Sequence, residues 1–142
     1  MKKGFTLVEL LLVIALIMIV GMLSAAFYTR FLMQNNVINT TTQLVGSLRK
    51  AQMYSMMGKR GGSWGVAAFP GSIVLFQGNS YASRDEALDE VFVTRPDIST
   101  GDFSEIVFAK TTGLPDIAPT IVISEGGETR TLTVSNQGIV SQ

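Results

Sequence analysis

Among the 142 residues there is no histidine and no cysteine. The usual nucleophile–base pairs are therefore missing, as are the common zinc, copper and haem ligands. No glycine-rich phosphate loop follows a strand-like run. Residues that could still do chemistry fall into three groups: Glu9, alone inside an apolar run; the acids Asp85, Glu86, Asp89 and Glu90; and the cations Arg49, Lys50, Lys59 and Arg60. This inventory points away from an enzyme, and toward a chain with no cofactor and no metal.

Glu9 is the most constrained of these. The 22 residues from Phe5 to Ala26 hold this single charge. At about 1.5 Å per residue they can cross roughly 30 Å of hydrocarbon. Lys2 and Lys3 flank the run on its N-terminal side, which orients the rest of the chain outward from the cytoplasm. An acidic residue at the centre of such a helix costs roughly 2.5 to 3.5 kcal/mol, so Glu9 needs a cationic partner. Arg30 is 21 residues away, about 30 Å along a helix. A free amino terminus on a neighbouring chain, made by cutting just before the apolar run, would serve.

Lys3-Gly4-Phe5-Thr6-Leu7-Val8-Glu9-Leu10-Leu11 resembles the class III signal segment of type IV pilins and type II secretion pseudopilins. The resemblance implies cleavage after Gly4 by a membrane peptidase that also methylates the new terminus, Phe5. It implies that Glu9 neutralises the Phe5 amine of the adjacent subunit in a filament. The physics agrees, because an acid tolerable in lipid only when paired couples pairing to assembly. Two other readings exist: a conventional secretory signal cleaved after Ser24-Ala25-Ala26, and a plain single-span anchor. The first leaves Glu9 unexplained within the apolar core.

Each of the other charged groups has a simpler reading. The acids at 85 to 90 could attract Ca²⁺, but they lack the alternating oxygen ligands and central glycine of a calcium loop, so a solvated loop is expected. Arg49, Lys50, Lys59 and Arg60 could touch nucleic acid. They equally suit a helix C-terminus, whose negative pole favours cations. Beyond residue 60 only Arg84, Arg95, Lys110 and Arg130 oppose ten acids. Such an acidic distal part disfavours a nucleic-acid surface there.

Positioning these groups requires a long helix and a compact partner for it. No proline occurs from Phe27 to Met57, and Val37, Thr41, Leu44, Leu48 and Ala51 recur at spacings of 4, 3, 4 and 3, one helical face. Gln34, Asn35, Asn39, Gln43, Ser47, Arg49 and Lys50 are assigned to the solvated side. The stretch from Asn35 to Thr42 is a poor helix former and predicts a weak or bent segment. Gly58 and Gly61-Gly62 predict the helix end. Strands are expected at Trp64 to Phe69, Ser72 to Gln77, Glu90 to Thr94, Ser104 to Ala109, Thr120 to Ser124, Thr129 to Ser135 and Ile139-Val140. Pro70-Gly71 and Gly126-Gly127 turn two hairpins. Tyr81 to Glu90 reads as a surface turn or short helix.

The expected architecture is α+β: a long N-terminal helix whose first half spans the membrane, with an antiparallel β-sheet domain packed on its second half. The domain organisation follows as leader 1–4, membrane and assembly helix 5–26, exposed helix half 27–58 and β-rich domain 59–142. Leu48 to Gln52 before Gly58, Ile106 to Phe108 with Thr112 to Pro115, and Arg130 to Val134 with Gly138-Ile139-Val140 more narrowly resemble H-type minor pseudopilins and FimT-like minor pilins. The family resemblance implies as partners other pilin or pseudopilin subunits, a prepilin peptidase and methyltransferase, an inner-membrane assembly platform, and lipid before assembly. It places the precursor in the cytoplasmic membrane, N-terminus in and C-terminus out, and later in an extracytoplasmic filament. A minor pilin capturing DNA or another ligand at a filament tip is the alternative.

Overall fold

The structure, a computed structural model, describes residues 4–142, with side chains at 23–26 excepted. The leader residues Lys2 and Lys3 thus lie outside the described residues. Helix α1 (Leu7–Met56) is 50 residues long, about 75 Å. Thr6 begins it, its hydroxyl accepting from Glu9 N at 3.3 Å. Thr6 to Glu9 is the spacing of an N-terminal capping box, and it puts the carboxylate in the first turn, at the helix's positive pole. At the other end Met57 N donates to Met53 O at 3.0 Å, and Gly58 adopts φ 61°, the left-handed conformation that stops a helix.

The weak segment expected at Asn35 to Thr42 does not interrupt α1. Thr41 donates its hydroxyl to Val37 O at 2.7 Å and Thr42 to Ile38 O at 2.9 Å, so neither competes for backbone elsewhere. Tertiary burial overrides the low propensity: Val37, Thr41, Leu44, Leu48 and Ala51 are all 2 % exposed or less. The expected face is the buried face. Ser47 corrects the assignment of the other side, for it is buried too. It sits three residues after Leu44 and four before Ala51, which is the spacing of that same face.

Seven strands follow: β1 (Trp64–Phe69), β2 (Ser72–Gln77), β3 (Glu90–Val93), β4 (Glu105–Phe108), β5 (Thr120–Glu125), β6 (Glu128–Val134) and β7 (Val140–Ser141). They form two antiparallel sheets, ordered β3-β2-β1-β4 and β5-β6-β7, where a single sheet was expected. The expected turns are present at Pro70-Gly71, between β1 and β2, and at Gly126-Gly127, where both glycines have positive φ. Two sheets let apolar faces approach α1 from two sides. The resulting core joins Leu44 and Leu48 of α1 to Trp64, Ile73 and Phe108 of the first sheet and Ile121 and Leu132 of the second.

Alternation along the strands sends a second set outward: Ala67, Val74, Phe76 and Val107. Tyr81 closes this outer face. Its backbone N donates to Glu105 Oε2 at 2.7 Å, and its ring lies 4.8 Å from that of Phe69 and 5.6 Å from that of Phe76. The segment from Tyr81 to Leu88 forms two single 3₁₀ turns at the surface, with Tyr81 on this outer face and Leu88 against the core that faces α1.

Candidate assembly segment and surrounding surfaces

Gly4 and Phe5 precede α1 as exposed, non-helical backbone. Glu9 is exposed on the first helical turn, and among the described residues no cation pairs with it. The described large apolar side chains from Phe5 to Leu32 are between 41 and 81 % exposed, on every side of the helix. A helix apolar all round needs lipid or other helices around it. Among the described residues α1 is the one helix long and apolar enough to cross a membrane.

Burial by the β-rich part begins only near Met33 and Val37. Phe27, Tyr28 and Phe31 therefore form an exposed aromatic patch on one side of α1, between the apolar run and the first residues that the sheets cover. Aromatic rings of this kind concentrate at membrane–water boundaries. Sequence reasoning passed over this patch, although three aromatics within five positions were its signal.

The four cations near the helix end separate into two pairs. The Lys50 ammonium is ion-paired with Glu90, and this hydrogen bond raises its pKa from the ordinary 10.5, partly opposed by burial. The Lys59 ammonium sits 3.4 Å from the centroid of Tyr54 and 5.3 Å from that of Trp64. Trp64 Nε1 in turn donates to Lys59 O at 3.0 Å, and the two rings meet edge to face at 5.0 Å. Arg49 and Arg60 reach into solvent.

Two of the acids near residue 85, Glu86 and Asp89, hold Arg84, while Asp85 accepts from Ala87 N at 3.1 Å. The Nε of Arg84 contacts Asp89 at 2.8 Å and its NH2 group Glu86 at 3.1 Å, while its guanidinium lies 3.8 Å over the Tyr81 ring. The Asp89 hydrogen bond raises the Arg84 pKa further. Among the described residues no cluster of acids has the arrangement of a metal site.

Gln52 ties the distal loops to α1. Its Nε2 donates to Gly113 O at 3.1 Å and to Gln137 O at 3.3 Å. Gly113 and Gly138, both at positive φ, lie so close to Met56 and Gln52 that neither position has room for a Cβ. Gln52, Gly113 and Gly138 all belong to the stretches that carry the narrower resemblance.

Neither the curated proteins nor the solved structures contain a match to this chain. Residues 1–25 match the family described as the prokaryotic N-terminal methylation motif, the class III signal peptide of type IV pilins, and the chain accordingly carries the N-terminal segment of a type IV pilin-like precursor.

Proposed function

We propose that this protein is a structural subunit of a type IV pilus-like or type II secretion pseudopilus filament. Gly4 is the last leader residue, Phe5 the methylated terminus, and Glu9 the partner of the Phe5 amine on a neighbouring subunit. The observation that carries the reading is the exposed helix from Leu7 to Met22, apolar on all sides with one acid in its first turn. In the membrane lipid covers it. In a filament identical helices replace the lipid, and the buried carboxylate is tolerated only where it meets a charge, which sets the axial register.

Under this reading the prepilin peptidase, the assembly platform and the other subunits are the partners, and the role is architectural rather than catalytic. Capture of nucleic acid draws support only from Arg49 and Arg60, since Lys50 and Lys59 are already engaged.

Glu9→Ala tests the assignment. The expected result is normal membrane insertion and processing with loss of assembled filaments in sheared-surface preparations or by electron microscopy. Filaments at wild-type abundance would refute the role given to Glu9.

A further inference from the structure

Two limits bracket the exposed part of α1. At its start a helix leaves four backbone N–H groups without an intrahelical acceptor. The Thr6 hydroxyl satisfies one of them, that of Glu9. The others need water, so the first turn of α1 cannot lie deep in hydrocarbon. At the upper limit Gly126, in the turn between β5 and β6, packs on Met33. Glu128 beside that turn is partly exposed, and Gln34 faces solvent. These polar groups belong in water, so hydrocarbon ends below Met33.

Just under the upper limit lies the patch of Phe27, Tyr28 and Phe31, all exposed. Arg30, three residues from Phe27 and its neighbour on the helix surface, is exposed too. Among the described residues no carboxylate pairs with it. A cation on so apolar a stretch needs an anion, and the rings beside it favour the headgroup layer.

The distance between the limits suits one bilayer. Hydrocarbon about 30 Å thick takes about 20 residues, the length of the stretch from Leu7 to Ala26. Arg30 then stands four residues beyond it, about 6 Å, within a headgroup layer about 5 to 8 Å deep. Helical side chains lean toward the N-terminus, so Arg30 leans down onto the headgroups. Glu9 stands two residues, about 3 Å, inside the opposite boundary. The same lean carries its carboxylate out toward the water on the N-terminal side.

We infer that Phe27, Tyr28, Arg30 and Phe31 form a lipid-headgroup site, in which the Arg30 guanidinium pairs with a lipid phosphate in the leaflet nearer the β-rich part. This site fixes the depth of α1 so that Glu9 lies at the far boundary of the hydrocarbon rather than within it. The guanidinium fork matches phosphate geometry. The inference rests on α1 being a membrane anchor, and it deepens that reading. In the membrane Glu9 keeps its water; the carboxylate loses it only when the helix leaves the bilayer for a filament, so the need for a cationic partner arises at assembly.

The test uses the full chain, one copy per phosphatidylcholine nanodisc. Because the chain has no cysteine, a single introduced cysteine carries a spin label at Leu11, Leu16 or Met22, and its depth is read from collisions with oxygen and with a water-soluble nickel chelate. Greatest depth is expected at Leu16, with Leu11 and Met22 equal. Arg30→Leu lengthens the apolar run upward, so Met22 should sink and Leu11 rise by about 3 Å each, two residues of helix. Arg30→Lys should keep the wild-type depths. With nitrogen-labelled arginine, one guanidinium signal should dephase against lipid phosphorus in solid-state NMR and be missing from Arg30→Lys. A label deeper at Leu11 than at Leu16 would place Glu9 inside the hydrocarbon. Depths unmoved by Arg30→Leu, or moved only where several chains share a bilayer, would give Arg30 a partner other than lipid. Each of these results overturns the inference and leaves the membrane anchor standing. Equal access of the nickel chelate to all three labels would remove the anchor itself, and the inference with it.

Discussion

The ring of Phe76 lies across Gly65, its cross-strand partner: a Cβ at residue 65 would come within 2.5 Å of Phe76 Cζ and 2.8 Å of the Ile106 carbonyl oxygen. Because the second obstacle is backbone, the site cannot relax by a rotamer change alone. Phe76 needs this close approach to sit under Tyr81 on the outer face of the sheet. Gly65→Ala should therefore cost about 1 to 3 kcal/mol through overpacking. A lowered unfolding midpoint is expected; a midpoint equal to wild type would contradict the packing.

Ser47 points the other way. Its hydroxyl is buried on α1 with no hydrogen-bond partner among the described residues. An unmade hydrogen bond of this kind is costly, and alanine is the better helix former. Ser47→Ala is expected to raise stability by about 1 kcal/mol, measured as a higher urea midpoint. A loss of similar size would show that the hydroxyl is satisfied.

The ion pair of Lys50 with Glu90 predicts a pH dependence. The folded pKa of Lys50 is raised above its ordinary 10.5 by the hydrogen bond to Glu90. Its contribution is thus fully present below about pH 10.5 and fades as pH rises through the higher folded value. Both side chains are about one third exposed, which limits the effect to about 0.2 to 1 kcal/mol. Lys50→Met should be less stable than wild type near neutral pH, and the two should converge in strong alkali. A difference that stays constant with pH would point to packing instead.

Much of this architecture was legible because it is local. Gly58 ends α1, Pro70-Gly71 and Gly126-Gly127 turn their hairpins, and the 4-3-4-3 spacing of Val37 to Ala51 marks the buried face, all through short-range geometry. Ser47 was misplaced because its polar identity outweighed its position on that face. The split into two sheets rests on which strands pair across long separations, and no single stretch of sequence encodes that. Tyr81 and Arg84 sit in a segment of polar, loop-like composition, so their closure of the sheet becomes visible only with Phe69, Phe76 and Glu105 around them. At the N-terminus the reverse holds: Gly4, Phe5 and Glu9 stand out in the sequence, while an isolated chain offers Glu9 no partner among the described residues.

Gly4 tests peptidase recognition separately from assembly. Replacing it with a bulky residue, as in Gly4→Leu, should block access to the scissile bond and leave an uncut, membrane-bound precursor. A precursor shortened to the same extent as wild type would argue against cleavage at this position.

The most direct test of the central claim is the intact mass of the protein recovered from its native host membrane. Cleavage after Gly4 and methylation of Phe5 predict the mass of residues 5 to 142 plus one methyl group. A mass that retains Met1 to Gly4, or one that begins near Phe27, would contradict the account and leave Glu9 without the amine it is proposed to meet.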